Sequence, residues 1–361
     1  MKSMISLCIG LIKRIFILNS LSIIRPDDWH VHFRDHEALH YTVPATAMHF
    51  GRALVMPNLQ PALTTISVVN AYYERILNAL DKTVSFLPYM TLYLNENVLP
   101  DDLHHLRQYP HILGAKLYPA GATTNSNEGV HSIKKLYPLL EIMQTHDLVL
   151  QIHGEVTHGD IFDREARFIE EFLVPLTHDF PKLRIILEHI STQAAVEFVL
   201  QAPTTVAATI TPHHLFYNRN QLLAGGLRPH YYCLPILKRE HDQRALQQAA
   251  VSGNPKFFAG TDSAPHAKKL KENACGCAGI YSAPYALAMY AQLFDELDKI
   301  KQLNHFMSVF GAEFYHLSPN QDRIELIKKE QLIPTSLPFV NDDIIPIAAG
   351  TTLQWSIHES T

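Results

Sequence analysis

The feature that most constrains this chain is a regular alternation of two kinds of segment. Short runs of β-branched and aromatic residues are each followed by a longer stretch in which apolar side chains recur at helical spacing. The runs are Trp29–Phe33, Arg52–Met56, Val84–Leu94, Ile112–Tyr118, Leu148–His153, Arg184–His189, Val206–Ile210 and Lys256–Gly260. Between them, helices are expected at Ser67–Leu80, His131–His146, Asp160–Phe180, Arg239–Ser252 and Ala283–Asp298. Strands that alternate with helical crossovers make a parallel sheet, and eight of them favour an α/β fold of the closed (β/α)8 TIM-barrel type over an open doubly wound sheet. At 361 residues the chain fits one such domain, placed at 25–361, with 1–24 as an N-terminal extension. The last forty residues, with Ile345-Pro346 and Thr352–Ile357, read as extended segments outside the barrel.

Composition narrows the function classes. The chain is 47% hydrophobic and 18% charged, an ordinary globular balance. A net charge of −5 with interspersed signs forms no basic stripe, so nucleic acid is not an expected partner. Four cysteines, Cys8, Cys233, Cys275 and Cys277, are too few and too unevenly spaced for a disulfide framework, which fits a reducing cytoplasm. The apolar run Met4–Ile12 has the look of a signal-peptide core, but Lys13 and Arg14 interrupt it and no small-residue cleavage pattern follows. No segment reaches the roughly 18 uninterrupted apolar residues of a membrane span.

A barrel of this kind carries its chemistry where strands give way to loops at their C-terminal ends. Here those ends are polar: His30, His32, Arg34 and Asp35 at the first strand, Asn58 at the second, Lys116 on the fourth, His153 and His189 at the fifth and sixth, Asp262 at the eighth. Each has an ordinary reading. With 22 histidines, one His-x-His pair is expected by chance, and His104, His105, His213 and His214 read as bystanders. Lys116 could pair with a carboxylate, Asp262 could cap the following helix, and Cys275-Gly276-Cys277 lacks the second thiolate pair of a structural zinc site. The functional reading is that alternate strand residues aim both imidazoles of His30 and His32 at one metal, and that a barrel converges the other ends on the same point. A buried Lys116 amine could react with carbon dioxide to give an anionic carbamate able to bridge two cations.

The segments RPDDWHVHFRD, MPN, GAKLYPAGATTNS, QIHGE, LEHIST, TPHHL, AGTDSAPH and CGCAGIYSAP resemble those of the bacterial dihydroorotases of the shorter, homodimeric type, within the amidohydrolase superfamily. The likeness runs from about Arg25 to the C-terminal region. It implies zinc-dependent, reversible cyclisation of N-carbamoyl-L-aspartate to L-dihydroorotate in pyrimidine biosynthesis, by a homodimer. It also implies that His30, His32 and Asp262 hold one zinc, that His153 and His189 hold the other, and that Lys116 bridges them as N6-carboxylysine. Arg34, Asn58 and His266 would bind the substrate carboxylate, and Leu234 and Ala278 would offer backbone contacts. Asp262 would handle the proton, and Pro119–Glu128, with Thr123 and Thr124, would be a mobile loop that closes over the substrate and bends at Gly121 and Gly129. Low pH should then depress hydrolysis by protonating Asp262 and the water nucleophile. Hydantoinases and allantoinases share the expected metal cluster, and a catalytically silent homologue would have lost one of these ligands; this chain retains them all.

Overall fold

A computed structural model of the chain describes residues 19–358. The expected Met4–Ile12 run and most of the expected N-terminal extension lie outside these residues. Eight parallel strands form one sheet in chain order: β1 (Asp27–Val31), β2 (Arg52–Val55), β3 (Leu87–Leu94), β4 (Ile112–Leu117), β5 (Val149–Ile152), β6 (Ile185–Leu187), β7 (Val206–Ile210) and β8 (Phe257–Ala259). The residues following β8 join β1 and close the barrel: Asp262 N–H donates to His30 O at 2.8 Å and His32 N–H to Ser263 O at 3.0 Å. Below this seam the Asp28 carboxylate replaces a backbone ladder, accepting from Thr261 N–H at 2.8 Å and from Thr261 Oγ1 at 2.6 Å.

Strict alternation sorts the side chains. Ala53, Val55, Leu150, Ile152, Ile185, Leu187, Val206, Ala208, Phe257 and Ala259 belong to the large core between sheet and helices. Their neighbours Leu54, Val149, Ile186, Ala207 and Phe258 form a second cluster with Trp29 and Tyr315. Both faces are buried, so the strands read as nearly continuous apolar runs. Tyr315 stacks on Trp29 with ring centroids 4.6 Å apart and donates its face to a tight crossing: a Cβ on Gly311 would lie 2.0 Å from Trp29 Nε1.

Several boundaries differ from expectation for identifiable reasons. β1 begins two residues early, at Asp27, and ends at Val31, so His32 sits just past it. Residues 84–86 precede β3 rather than joining it. The expected Asp160–Phe180 helix is broken into Arg164–Phe168, a wide π turn Ile169–Leu173 and Val174–Asp179, where Pro175 lacks the N–H an unbroken α-helix would use. The expected His131–His146 helix is a 3-10 turn, Ile133–Leu136, followed by Tyr137–Thr145 with Pro138 in its first turn. Outside the barrel, Ser20–Ile24 pairs antiparallel with Arg323–Ile327, which also pairs with Ser356–Ile357. The C-terminal segments are therefore extended, and they bury Trp355 completely. No helix among the described residues is long and apolar enough to cross a membrane.

Candidate metal and substrate site at the barrel mouth

The strand ends bring the expected polar residues together. A shift in the β1–β2 register between Asp28 and Val31 re-aims the backbone at His30, as bulges beside functional sites commonly do. His30 Nε2 lies 3.4 Å from both His32 Nε2 and Asp262 Oδ1, and His32 Nε2 lies 3.1 Å from the same carboxylate oxygen. His153 Nδ1 faces His189 Nε2 at 3.2 Å. The His189 ring sits between the two groups, its centroid 4.9 Å from that of His30 and 4.8 Å from that of His153. On β4, Ala115 and Leu117 pack into the outer core, so Lys116 between them points the other way; it is fully buried, and its amine has no partner among the described residues. Arg34, His189 and Asp262 adopt left-handed backbone conformations, with φ of 62°, 42° and 43°. For residues with a Cβ these cost about 1 kcal/mol or more each, a strain that clusters at functional sites.

Buried carboxylates set which imidazole nitrogens face inward. His30 donates Nδ1–H to Glu188 Oε2 at 2.8 Å, which leaves the Nε2 lone pair for the cluster. His153 donates Nε2–H to Glu155 Oε2 at 3.0 Å and turns the Nδ1 lone pair inward. Burial pushes His32 down to about 4, against the opposing pull of Asp262, and burial with the nearby His153 charge holds His189 well below its usual range. Both are neutral at pH 7, the state that binds metal. Burial lowers the Lys116 amine to about 8, opposed by Glu188 and Asp262. For Asp262, burial would raise the carboxyl, but the hydrogen bond from His32 and the charges of His30 and His32 outweigh it and hold it well below the ordinary carboxylate range. Converging imidazole lone pairs, one carboxylate and a buried amine without a partner fit a pair of divalent ions of the zinc type.

Above this cluster a small cavity is lined by His32, Arg34, Asn58, Tyr118, Thr123, Thr124, His153, His189, Leu234, Asp262, Ala278 and their neighbours. Arg34 Nε–H donates to Pro265 O at 2.9 Å, and Nη2 lies 2.9 Å from His266 Nε2. Burial and the Arg34 charge drive His266 far below its usual range, and its Nε2 faces both the guanidinium and Ala278 O, the latter at 3.0 Å. The segment after β4 is seated over the cavity. Asn58 Nδ2 donates to Thr124 O at 3.0 Å, Asn125 Nδ2 to Asn58 O at 3.0 Å, and Thr124 Oγ1 to Ala278 O at 3.2 Å. Asn58 Oδ1 stays buried without a partner among the described residues.

The Amidohydrolase family matches this chain over residues 21–353. A dihydroorotase from Nitrosococcus oceani is 55% identical over 345 residues, 95% of this chain and 100% of that protein. The chain belongs to the amidohydrolase family, among its dihydroorotases. A dihydroorotase from Saccharomyces cerevisiae, solved in complex with 5-fluoroorotic acid, superposes with a TM-score of 0.87 at 36% identity, covering 94% of this chain and 99% of that one. An L-hydantoinase from Arthrobacter aurescens reaches 0.75 at 15% identity over 94% of this chain and 83% of its own, which shows the shared fold alone.

In this amidohydrolase barrel the sequence reading missed the acids behind the histidines. Glu188 and Glu155 are fully buried, and Glu155 is backed by Lys238 Nζ at 3.5 Å. A signal was available, since Glu188 immediately precedes His189 and Glu155 follows His153 by two residues. Of the histidines read as bystanders, His104 and His105 are exposed on the helix Pro100–His105. His213 and His214 are instead buried beside Cys233, with ligand atoms within 4.8 Å of one another. His214 is committed to Thr211 Oγ1 and Pro235 O, and Cys233 to Pro235 O, whereas both ring nitrogens of His213 are buried without a partner among the described residues. Cys275 and Cys277 lie in a loop, as expected.

Proposed function

We propose that this dihydroorotase opens L-dihydroorotate to N-carbamoyl-L-aspartate and closes it again at two zinc ions. His30, His32 and Asp262 would hold one ion, His153 and His189 the other, and Lys116, carboxylated on its amine, would bridge them. When bound, such a pair supplies an ionised water at neutral pH and a Lewis acid for the ring carbonyl. Asp262 takes the proton released as water adds to that carbonyl and delivers it to the departing amide nitrogen; the ring C–N bond breaks as the C–O bond forms. Cyclisation reverses these transfers. Arg34, Asn58 and His266 fix the substrate carboxylate, the guanidinium by paired donors. The backbones of Leu234 and Ala278 orient the ring amide, and the loop with Thr123 and Thr124 excludes water.

The observation that carries this reading is the gathering of two histidine groups and Asp262 at the cavity that Arg34 and Asn58 line, in a barrel that also buries the Lys116 amine without a partner among the described residues. A homodimer is supported by the likeness to the shorter bacterial type, and a reducing cytoplasm by the free thiols of Cys233, Cys275 and Cys277. The test is turnover of L-dihydroorotate by purified protein before chelation, after it, and after zinc is returned. Loss on chelation with recovery on zinc is the expected result. No turnover by zinc-loaded protein in either direction would overturn the reading. Arg34→Met should raise KM more than tenfold with zinc content unchanged, a loss of about 1.4 kcal/mol or more of binding.

A further inference from the structure

Tyr118 follows Lys116 by two residues, at the point where β4 gives way to the loop. Its side chain is 1% exposed, and its hydroxyl has no hydrogen-bond partner among the described residues. Leaving a buried hydroxyl unsatisfied costs about 1–3 kcal/mol, and a phenol offers one good donor. Tyr93 stacks against the Tyr118 ring with centroids 5.2 Å apart, and the Lys116 amine lies 5.1 Å from the centre of the Tyr118 ring. The residue lines the same cavity as Arg34, Asn58 and Asp262, with its ring centroid 6.3 Å from that of His153. It therefore borders the end of the cavity where His153 and Lys116 stand. Arg34, proposed above to bind the substrate carboxylate with His266, is tied to His266 and to Pro265 O.

Resting on the dihydroorotase reading above, we infer that the Tyr118 hydroxyl donates a hydrogen bond to the substrate oxygen that gains negative charge as the ring opens, making Tyr118 a further catalytic residue of this site. Dihydroorotate presents carbonyl oxygens and no other acceptor of comparable strength besides the carboxylate, which Arg34 takes. A fixed neutral donor beside a carbonyl that becomes an oxyanion helps the transition state more than the bound substrate.

The experiment compares wild type, Tyr118→Phe and Tyr93→Phe, all zinc-loaded, by steady-state kinetics in both directions, zinc content and the Kd for 5-fluoroorotic acid. Tyr93 is the control because its hydroxyl is also buried without a partner yet does not line the cavity. The expected result for Tyr118→Phe is a fall of about tenfold or more in kcat in each direction, with zinc content unchanged and Kd within about threefold of wild type. Tyr93→Phe should stay within about twofold throughout. An unchanged kcat for Tyr118→Phe, an equal loss in Tyr93→Phe, or a loss that tracks missing zinc would each overturn the assignment, the last by giving the hydroxyl to the Lys116 bridge. Turnover by the wild type separates these outcomes from failure of the dihydroorotase reading itself.

Discussion

Replacing Glu188 with Gln would keep its shape and remove the charge that holds His30 in one tautomer. Because such outer partners are typically worth 10–100-fold in metal affinity, Glu188→Gln should lose zinc at roughly 10–100-fold lower chelator concentration, read as zinc content after graded dialysis. A second expectation concerns pH. The amine of Lys116 is lowered to about 8, so below that value it is increasingly protonated and cannot add carbon dioxide. Recovery of metal-stripped protein with zinc, at a fixed concentration of dissolved carbon dioxide, should therefore slow by roughly tenfold per pH unit on going below about 8, and level off above it. A recovery rate independent of pH between 6 and 8 would contradict carbamate formation at this residue. At this scale the sequence spoke through residue type at strand ends: His30, His32, His153, His189 and Asp262 were legible because polar residues terminate apolar runs there. Glu188 and Tyr118 were not, since a hidden partner and a missing partner are both properties of three-dimensional neighbours.

The loop after β4 and the helix Phe310–Phe314 show how one position can govern an element. Gly129 closes the loop base, and a Cβ there would meet Tyr118 O at 2.5 Å and Ser126 O at 2.8 Å. Gly129→Ala should therefore unseat the loop and lower kcat/KM by more than tenfold while circular dichroism stays native. Gly121 serves differently, with φ of 78° and open space where a Cβ would be. At Gly311 the crowding is against Trp29, and Gly311→Ala should lower Tm through an overpacking cost of about 1–3 kcal/mol. The type of most elements could be read from periodicity, but their bounds could not. Pro175 converts an apparently continuous helix into one with a π turn, and Pro44 inside Leu39–Ala47 helps mask a helix that periodicity alone passed over. The helix Gln193–Gln201 was passed over too; only Ala195, Val196 and Val199 mark its buried face, too short a pattern to stand out from one turn to the next.

For the whole molecule, the metal ligands proposed above come from five strands' ends, so zinc bound to them would stabilise only the closed barrel. Removing it should lower Tm, and saturating zinc at about a hundredfold over Kd should restore about 2.7 kcal/mol. An unchanged melting curve would place the ions elsewhere. The closure that makes this linkage also sets an order of events during synthesis. Asp28 and Thr261, which seal the seam, are 233 residues apart in the chain. His30 and His32 leave the ribosome early and Asp262 late, so the imidazole pair has no carboxylate to complete its set until nearly three quarters of the protein has been made. The ligand set proposed above would thereby be completed only after the last barrel strand has been made, and a divalent ion captured by the early pair could still exchange before the barrel shuts on it.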